Sequence, residues 1–131
     1  MNQLMKLAAA AAAGAIASGT IVYAQAAAPE TRAIVSLYRA APGQQEALLR
    51  WLANQDRVAK SVGVAPMQLY VHTDGDSWDY MGINPMTTDA QDKAFDAAAK
   101  KMGVTSGPRA SLELRKYISI HTDTYTVGPI T

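Results

Sequence analysis

The sequence predicts an α+β domain in which two helices cover one face of a four-stranded antiparallel sheet. Three observations predict it. Two stretches carry apolar residues at helical spacing and each stops at a glycine. Between them, two strand-like runs are joined by Asp74-Gly75, and an alternating segment stands on either side of the whole.

Ahead of these elements the chain opens on MNQLMK, where Lys6 is the only charge, and continues as an uncharged, alanine-rich run from Leu7 to Ala24. That is the pattern of a secretory signal, and the small residues Ala24 and Ala26 place cleavage after Ala26. Residues 1–26 are therefore expected to be a signal peptide and residues 27–131 a single domain, periplasmic or secreted. So much alanine makes a weakly apolar anchor, so no membrane partner is expected once the signal is cleaved.

Arg32 to Arg39 reads as a strand because Val35 and Leu37 alternate with Ser36 and Tyr38, and Pro42-Gly43 ends it. From Gln44 to Val62, Leu48, Trp51, Leu52, Gln55, Val58, Ala59 and Val62 recur at three- and four-residue intervals and form one stripe of a helix, a core-packing signal that Gly63 closes. Met67–Thr73 and Asp76–Ile83 are the paired runs, with Asp74-Gly75 suited to a two-residue type I′ turn. Thr88 stands three residues before Gln91, as in a capping box, and opens a helix that presents Phe95, Ala98, Ala99 and Met102 before Gly103. Gly107-Pro108 predicts a loop. The last strand is expected from about Leu112 to Tyr125, with Leu114, Ile118 and Ile120 on one face and Tyr117, Ser119 and His121 on the other. Lys116 interrupts that parity, which suits a bulge or a later start.

Strand, helix, hairpin, helix, strand is the split βαβ or ferredoxin-like order, which leaves one sheet face uncovered. In element order and in the length of residues 27–131 the chain resembles the dimeric α/β-barrel superfamily, which includes the antibiotic-biosynthesis monooxygenase-like proteins. The resemblance implies a homodimer whose open sheet faces close into a barrel. It also implies small-molecule pockets between sheet and helices or inside that barrel, and chemistry without a prosthetic group: oxygenation, isomerisation or lyase reactions. Haem-degrading members use an Asn on the first strand, a Trp on the third and a His on the second helix. Here the first strand has no Asn, the second helix has no His and Trp78 is expected to face the helices, so haem is not expected and no cofactor is assigned.

Composition narrows the partners. Twelve Lys and Arg against 11 Asp and Glu nearly cancel and are spread along the chain, which leaves no basic footprint for nucleic acid or anionic lipid. The absence of Cys excludes disulfides, thiolate metal sites and a cysteine nucleophile, and leaves stability to a core or to oligomerisation. None of G-x-S-x-G, H-E-x-x-H or G-x-G-x-x-G occurs. Asp74-Gly75-Asp76 lacks the rest of a calcium loop, and His121-Thr122-Asp123 has no recognised ligand spacing, so no metal is assigned.

With Asp74-Gly75 as the turn, Val71 pairs with Trp78 and Leu69 with Tyr80 on an apolar face suited to the helices. His72 with Ser77, Tyr70 with Asp79 and Gln68 with Met81 then lie on the open face, which alternation extends to Ser36, Tyr38, Tyr117, Ser119 and His121. On that face His121 and His72 are candidates for a general base, with Asp79 beside them. Tyr38, Tyr70, Met81, Tyr117 and Ser119 would shape a pocket for an aromatic or ketide-like molecule. Two readings stay open. One is an exported small-molecule-binding protein, with or without cofactor-free monooxygenase, isomerase or lyase activity. The other is a non-catalytic dimeric interaction module in which both histidines are half-exposed strand-end residues.

Overall fold

Which way the first strand turns its side chains decides the whole arrangement. The computed structural model describes residues 31–130, so the expected signal peptide and the first residues of the domain lie outside the described residues. The elements are β1 (Thr31–Ala40), α1 (Gln45–Ser61), β2 (Gln68–Val71), β3 (Tyr80–Pro85), α2 (Asp89–Met102), α3 (Gly107–Leu114) and β4 (Ile118–Gly128). All strand pairs are antiparallel and the sheet order is β2-β3-β1-β4, the ferredoxin-like order. The α+β, four-stranded expectation holds, with three helices in place of two.

The core forms where α1 meets the sheet. Leu48 and Leu52 of the predicted stripe pack with Tyr38, Ala40, Tyr80 and Leu114, and Trp51, Met67, Tyr117 and Ile118 border them. Val58, nearly two turns further along α1, is also fully buried. α2 starts as its sequence dictates: Gln91 N–H donates to Thr88 Oγ1 at 3.3 Å, and Thr88 N–H donates to Gln91 Oε1 at 2.9 Å. Gly103 ends it at φ 68°, a left-handed conformation in which glycine meets no Cβ penalty.

Three expectations are corrected. Gly107-Pro108 is not a loop but the start of α3, since proline in the first turn has its φ preset and lacks only an N–H that no intrahelical bond would use. Thr105 Oγ1 bonds Glu113 across this helix, and Leu114 at its end is buried in the core. β4 consequently begins at Ile118 rather than near Leu112, and it runs on to Gly128.

The hairpin is wider than a two-residue turn. Val71 pairs with Tyr80, Tyr70 with Met81, Leu69 with Gly82 and Gln68 with Ile83, a slip of two residues from the predicted register. Because the pleat repeats every two residues, the slip keeps the faces while Trp78 leaves the sheet. His72 N–H still donates to Asp79 O at 2.9 Å and closes the loop.

The third correction concerns the faces of β1 and β4. Ser36, Tyr38 and Ala40 are buried beneath the helices, and Val35 and Leu37 lie on the uncovered side, the reverse of the expected assignment. Small residues explain it, because Ser36, Ala40 and Gly82 line the helix side and let Met67 and the Tyr38 ring settle there. A Cβ on Gly82 would collide with Met67 Sδ and stand 3.6 Å from Tyr38 Cε2. On β4 the register shifts at Arg39/Ala40: Arg39 faces Ile120 while Ala40 faces Ile118. Ser119 is the extra residue of this bulge, and its hydroxyl lies 3.3 Å from the carbonyls of both Arg39 and Ala40. The bulge reverses the alternation, so Ile118 and His121 both turn to the helices and Ile120 is half exposed on the open side.

Candidate functional site

Between α1, the start of α2 and the helix side of the sheet lies a cavity of ≈ 360 Å³. Trp51 and Leu52 of α1, Tyr38 of β1, Phe95 of α2 and Met67, just ahead of β2, give it a mostly apolar, aromatic lining. Its polar groups are largely spoken for. Gln55 Nε2 donates to Thr105 O at 3.0 Å, and Asp56 accepts from Met67 N–H at 2.9 Å and meets Lys60 Nζ at 2.8 Å. Thr87 Oγ1 donates to Asp92 Oδ1 at 2.6 Å. The Asn84 side chain, also in the lining, hydrogen-bonds none of the described residues, and Trp51 buries its indole N–H without a partner among them.

A second cleft of ≈ 380 Å³ lies on the same side of the sheet, between α3 and β4, with Leu114, Arg115, Ile118, His121 and Asp123 around it. The His121 ring stacks on Tyr38, centroids 4.8 Å apart and planes 9° from parallel. Its Nε2 is 3.0 Å from Asp123 Oδ1 but off the line of a hydrogen bond, so this buried nitrogen has a charged neighbour and no aligned partner. Ser36, only 3% exposed, donates from Oγ to the same Asp123 oxygen at 2.6 Å. Tyr38 is thus a shared wall, lining the first cavity and stacking on the imidazole of the second cleft. Burial pushes its phenol pKa up, Ser36 pulls the other way and the Asp123 charge adds to the rise.

The candidates named from sequence do not share one surface. Tyr70 and Met81 face each other across β2 and β3 on the open side, as expected. Tyr38, His121 and Ser36 are corrected to the helix side, where they meet. Ser119 belongs to the bulge. Tyr117 precedes β4, borders the core and accepts Ala41 N–H at 2.8 Å, so it is not on the open face either. His72 sits in the hairpin loop against Trp78, centroids 4.7 Å apart, and its buried Nε2 has no partner among the described residues. Asp79 ties two strands together: its Oδ2 accepts Ala40 N–H at 2.7 Å and its own N–H donates to Tyr38 O at 2.8 Å. The histidines and Asp79 therefore form no common centre. Sequence reading missed Met67, Asn84 and Phe95 as cavity walls and favoured a core role over a pocket role for Trp51 and its stripe, since a cavity lining and a core stripe share the same helical spacing.

Among the described residues no group of three or more His, Asp or Glu stands where it could hold a metal ion, and no helix is long and apolar enough to cross a membrane. No protein-family model matches the chain and no curated protein is similar to it. Among solved structures it is similar to a dimeric protein of unknown function and ferredoxin-like fold from Bacteroides fragilis, at 11% identity and a TM-score of 0.43, covering 76% of this chain and 97% of that one. The fold assignment rests on the chain's own strand order.

Proposed function

We propose that this protein binds a small, largely apolar, aromatic molecule in the cavity between its helices and its sheet. The observation that carries the reading is the cavity itself: ≈ 360 Å³, walled by Tyr38, Trp51 and Phe95, with most of its polar groups already bonded to protein. That volume falls in the range of ligand sites, and a lining with few free polar groups selects for burial of apolar surface. Asn84, with the unpartnered indole N–H of Trp51, is left among the lining residues to orient a guest.

The same reading includes a homodimer and export. Val35, Leu37, Met81 and Ile83 run down the middle of the uncovered sheet face, with Thr122 and Thr124 of β4 beside them and no helix over them. A second copy is the occupant that fits, because the face is nearly uncharged and meets itself without burying like charges. This agrees with what the resemblance to the dimeric α/β-barrel superfamily implies. Export rests on the signal-like pattern of residues 1–26.

The test uses the neutral dye N-phenyl-1-naphthylamine, chosen because Asp56 and Asp92 border the cavity. Dye emission should rise to one-to-one saturation and quench Trp51 in a Trp78→Phe background. Ala59→Trp, which fills the cavity from α1, should weaken binding at least about tenfold, or 1.4 kcal/mol, with circular dichroism unchanged. Equal binding by the filled variant would sink the reading.

A further inference from the structure

We propose that His121, backed by Tyr38 and Asp123, is a general base for small carbon acids entering the cleft between α3 and β4, a site separate from the apolar cavity.

The inference starts from what holds the imidazole. One face of the ring is stacked on Tyr38, which is itself 5% exposed and fixed in the core, so the ring cannot swing without breaking that packing. Asp123 Oδ1, 3.0 Å from Nε2, is anchored by the buried Ser36 hydroxyl at 2.6 Å. A carboxylate there favours the tautomer with its proton on Nε2, which leaves the lone pair on Nδ1. No hydrogen bond from a described residue engages Nδ1, and the side chain keeps 25% of its surface accessible beside the cleft. A positioned, basic nitrogen at the edge of a cleft walled by Leu114 and Ile118 is the arrangement that proton abstraction needs.

Arg115 completes the chemistry. It borders the same cleft, so the charged groups around His121 are Asp123 from β4 and Arg115 from the end of α3, with the neutral Tyr38 phenol from β1 beside them. With a carbonyl compound in the cleft, the proton on the α-carbon passes to Nδ1. The C–H electron pair becomes the C=C bond of an enolate, and the charge moves to the oxygen that Arg115 can stabilise. Where the compound is β,γ-unsaturated the enolate is a dienolate, and returning the proton from the imidazolium to its γ-carbon gives the conjugated isomer, so no oxidant or cofactor enters the balance. Of the residues lining the apolar cavity only Tyr38 bears on this step, and it acts by holding the imidazole in place.

The test uses 5-nitrobenzisoxazole and the purified full-length chain. A base removes the C3 proton, the C–H pair completes a nitrile, and the N–O bond breaks to leave a coloured phenolate, with one base and no second reactant. The protein should exceed equimolar free imidazole at least about tenfold, within the range general-base catalysis supplies. His121→Gln should lose at least nine-tenths of the excess. A rate equal to free imidazole, or an unaltered rate in His121→Gln, would overturn the proposal. The comparison with free imidazole is read on the unaltered protein and decides the matter even if the variant does not fold.

Discussion

Tyr38 joins the interior of this protein to its polar chemistry, and its ionisation gives a direct test of where it sits. Burial raises its pKa above the ordinary 10.0, with Asp123 adding to the rise against the pull of Ser36, and Tyr80 is raised by burial and by the charge of Asp79. A raised folded-state value means that the unfolded chain releases the proton first as pH climbs. The stability contribution is therefore complete below about pH 10 and is lost as pH rises towards and through the folded value. Tyr38→Phe keeps the stack on His121 and removes one of these ionisations. Its urea midpoint should fall less steeply above about pH 10 than that of the parent protein; parallel curves would show that Tyr38 is not buried as described. At this scale the sequence was legible where a residue has one preference and misleading where it has two. Tyr70 and Met81 stand on the expected face. Tyr38 and Ser36 do not, because tyrosine packs equally well on either side of a strand and the choice was made by the small Ser36, Ala40 and Gly82 beneath the helices.

Among the elements, α1 and α2 could be read because apolar spacing and a capping box are local signals that tertiary contacts reinforce. α3 could not, because Gly-Pro signals both a loop and a helix start, and only the burial of Leu114 decides between them. β4 hid its facing in one residue. An unbulged strand would set Ile118 and Ile120 inward and His121 outward, whereas the extra Ser119 sets Ile118 and His121 inward together. Deleting Ser119 should therefore leave a regular strand with the same two residues inward. The cost should be about 1 kcal/mol in urea unfolding, the worth of the lost hydroxyl contacts, and proton Overhauser effects between the Tyr38 and His121 rings should persist. Loss of those effects would mean that the bulge, not the pleat, holds His121 in place.

For the molecule as a whole, the strand order followed from the element order, since short connections and right-handed crossovers leave few other topologies for this sequence of strands and helices. The open face it creates is where the proposed dimer is tested. Leu37→Lys puts a charge at its centre, beside Met81, where a second copy would have to bury it. Native mass spectrometry should then find dimers of the parent protein and monomers of the variant, with little change in far-ultraviolet circular dichroism. Dimers of both would place the contact elsewhere. The position of the candidate site was not legible at this scale because it depends on which sheet face the helices choose, and the small Ser36, Ala40 and Gly82 that seat the Tyr38 ring settle that. The same ring has a thermodynamic consequence. It lines one cavity and stacks on the imidazole beside the other cleft, so a guest in the cavity that displaces it must alter the affinity of the cleft for its own guest, and by reciprocity the second guest must act on the first by the same factor.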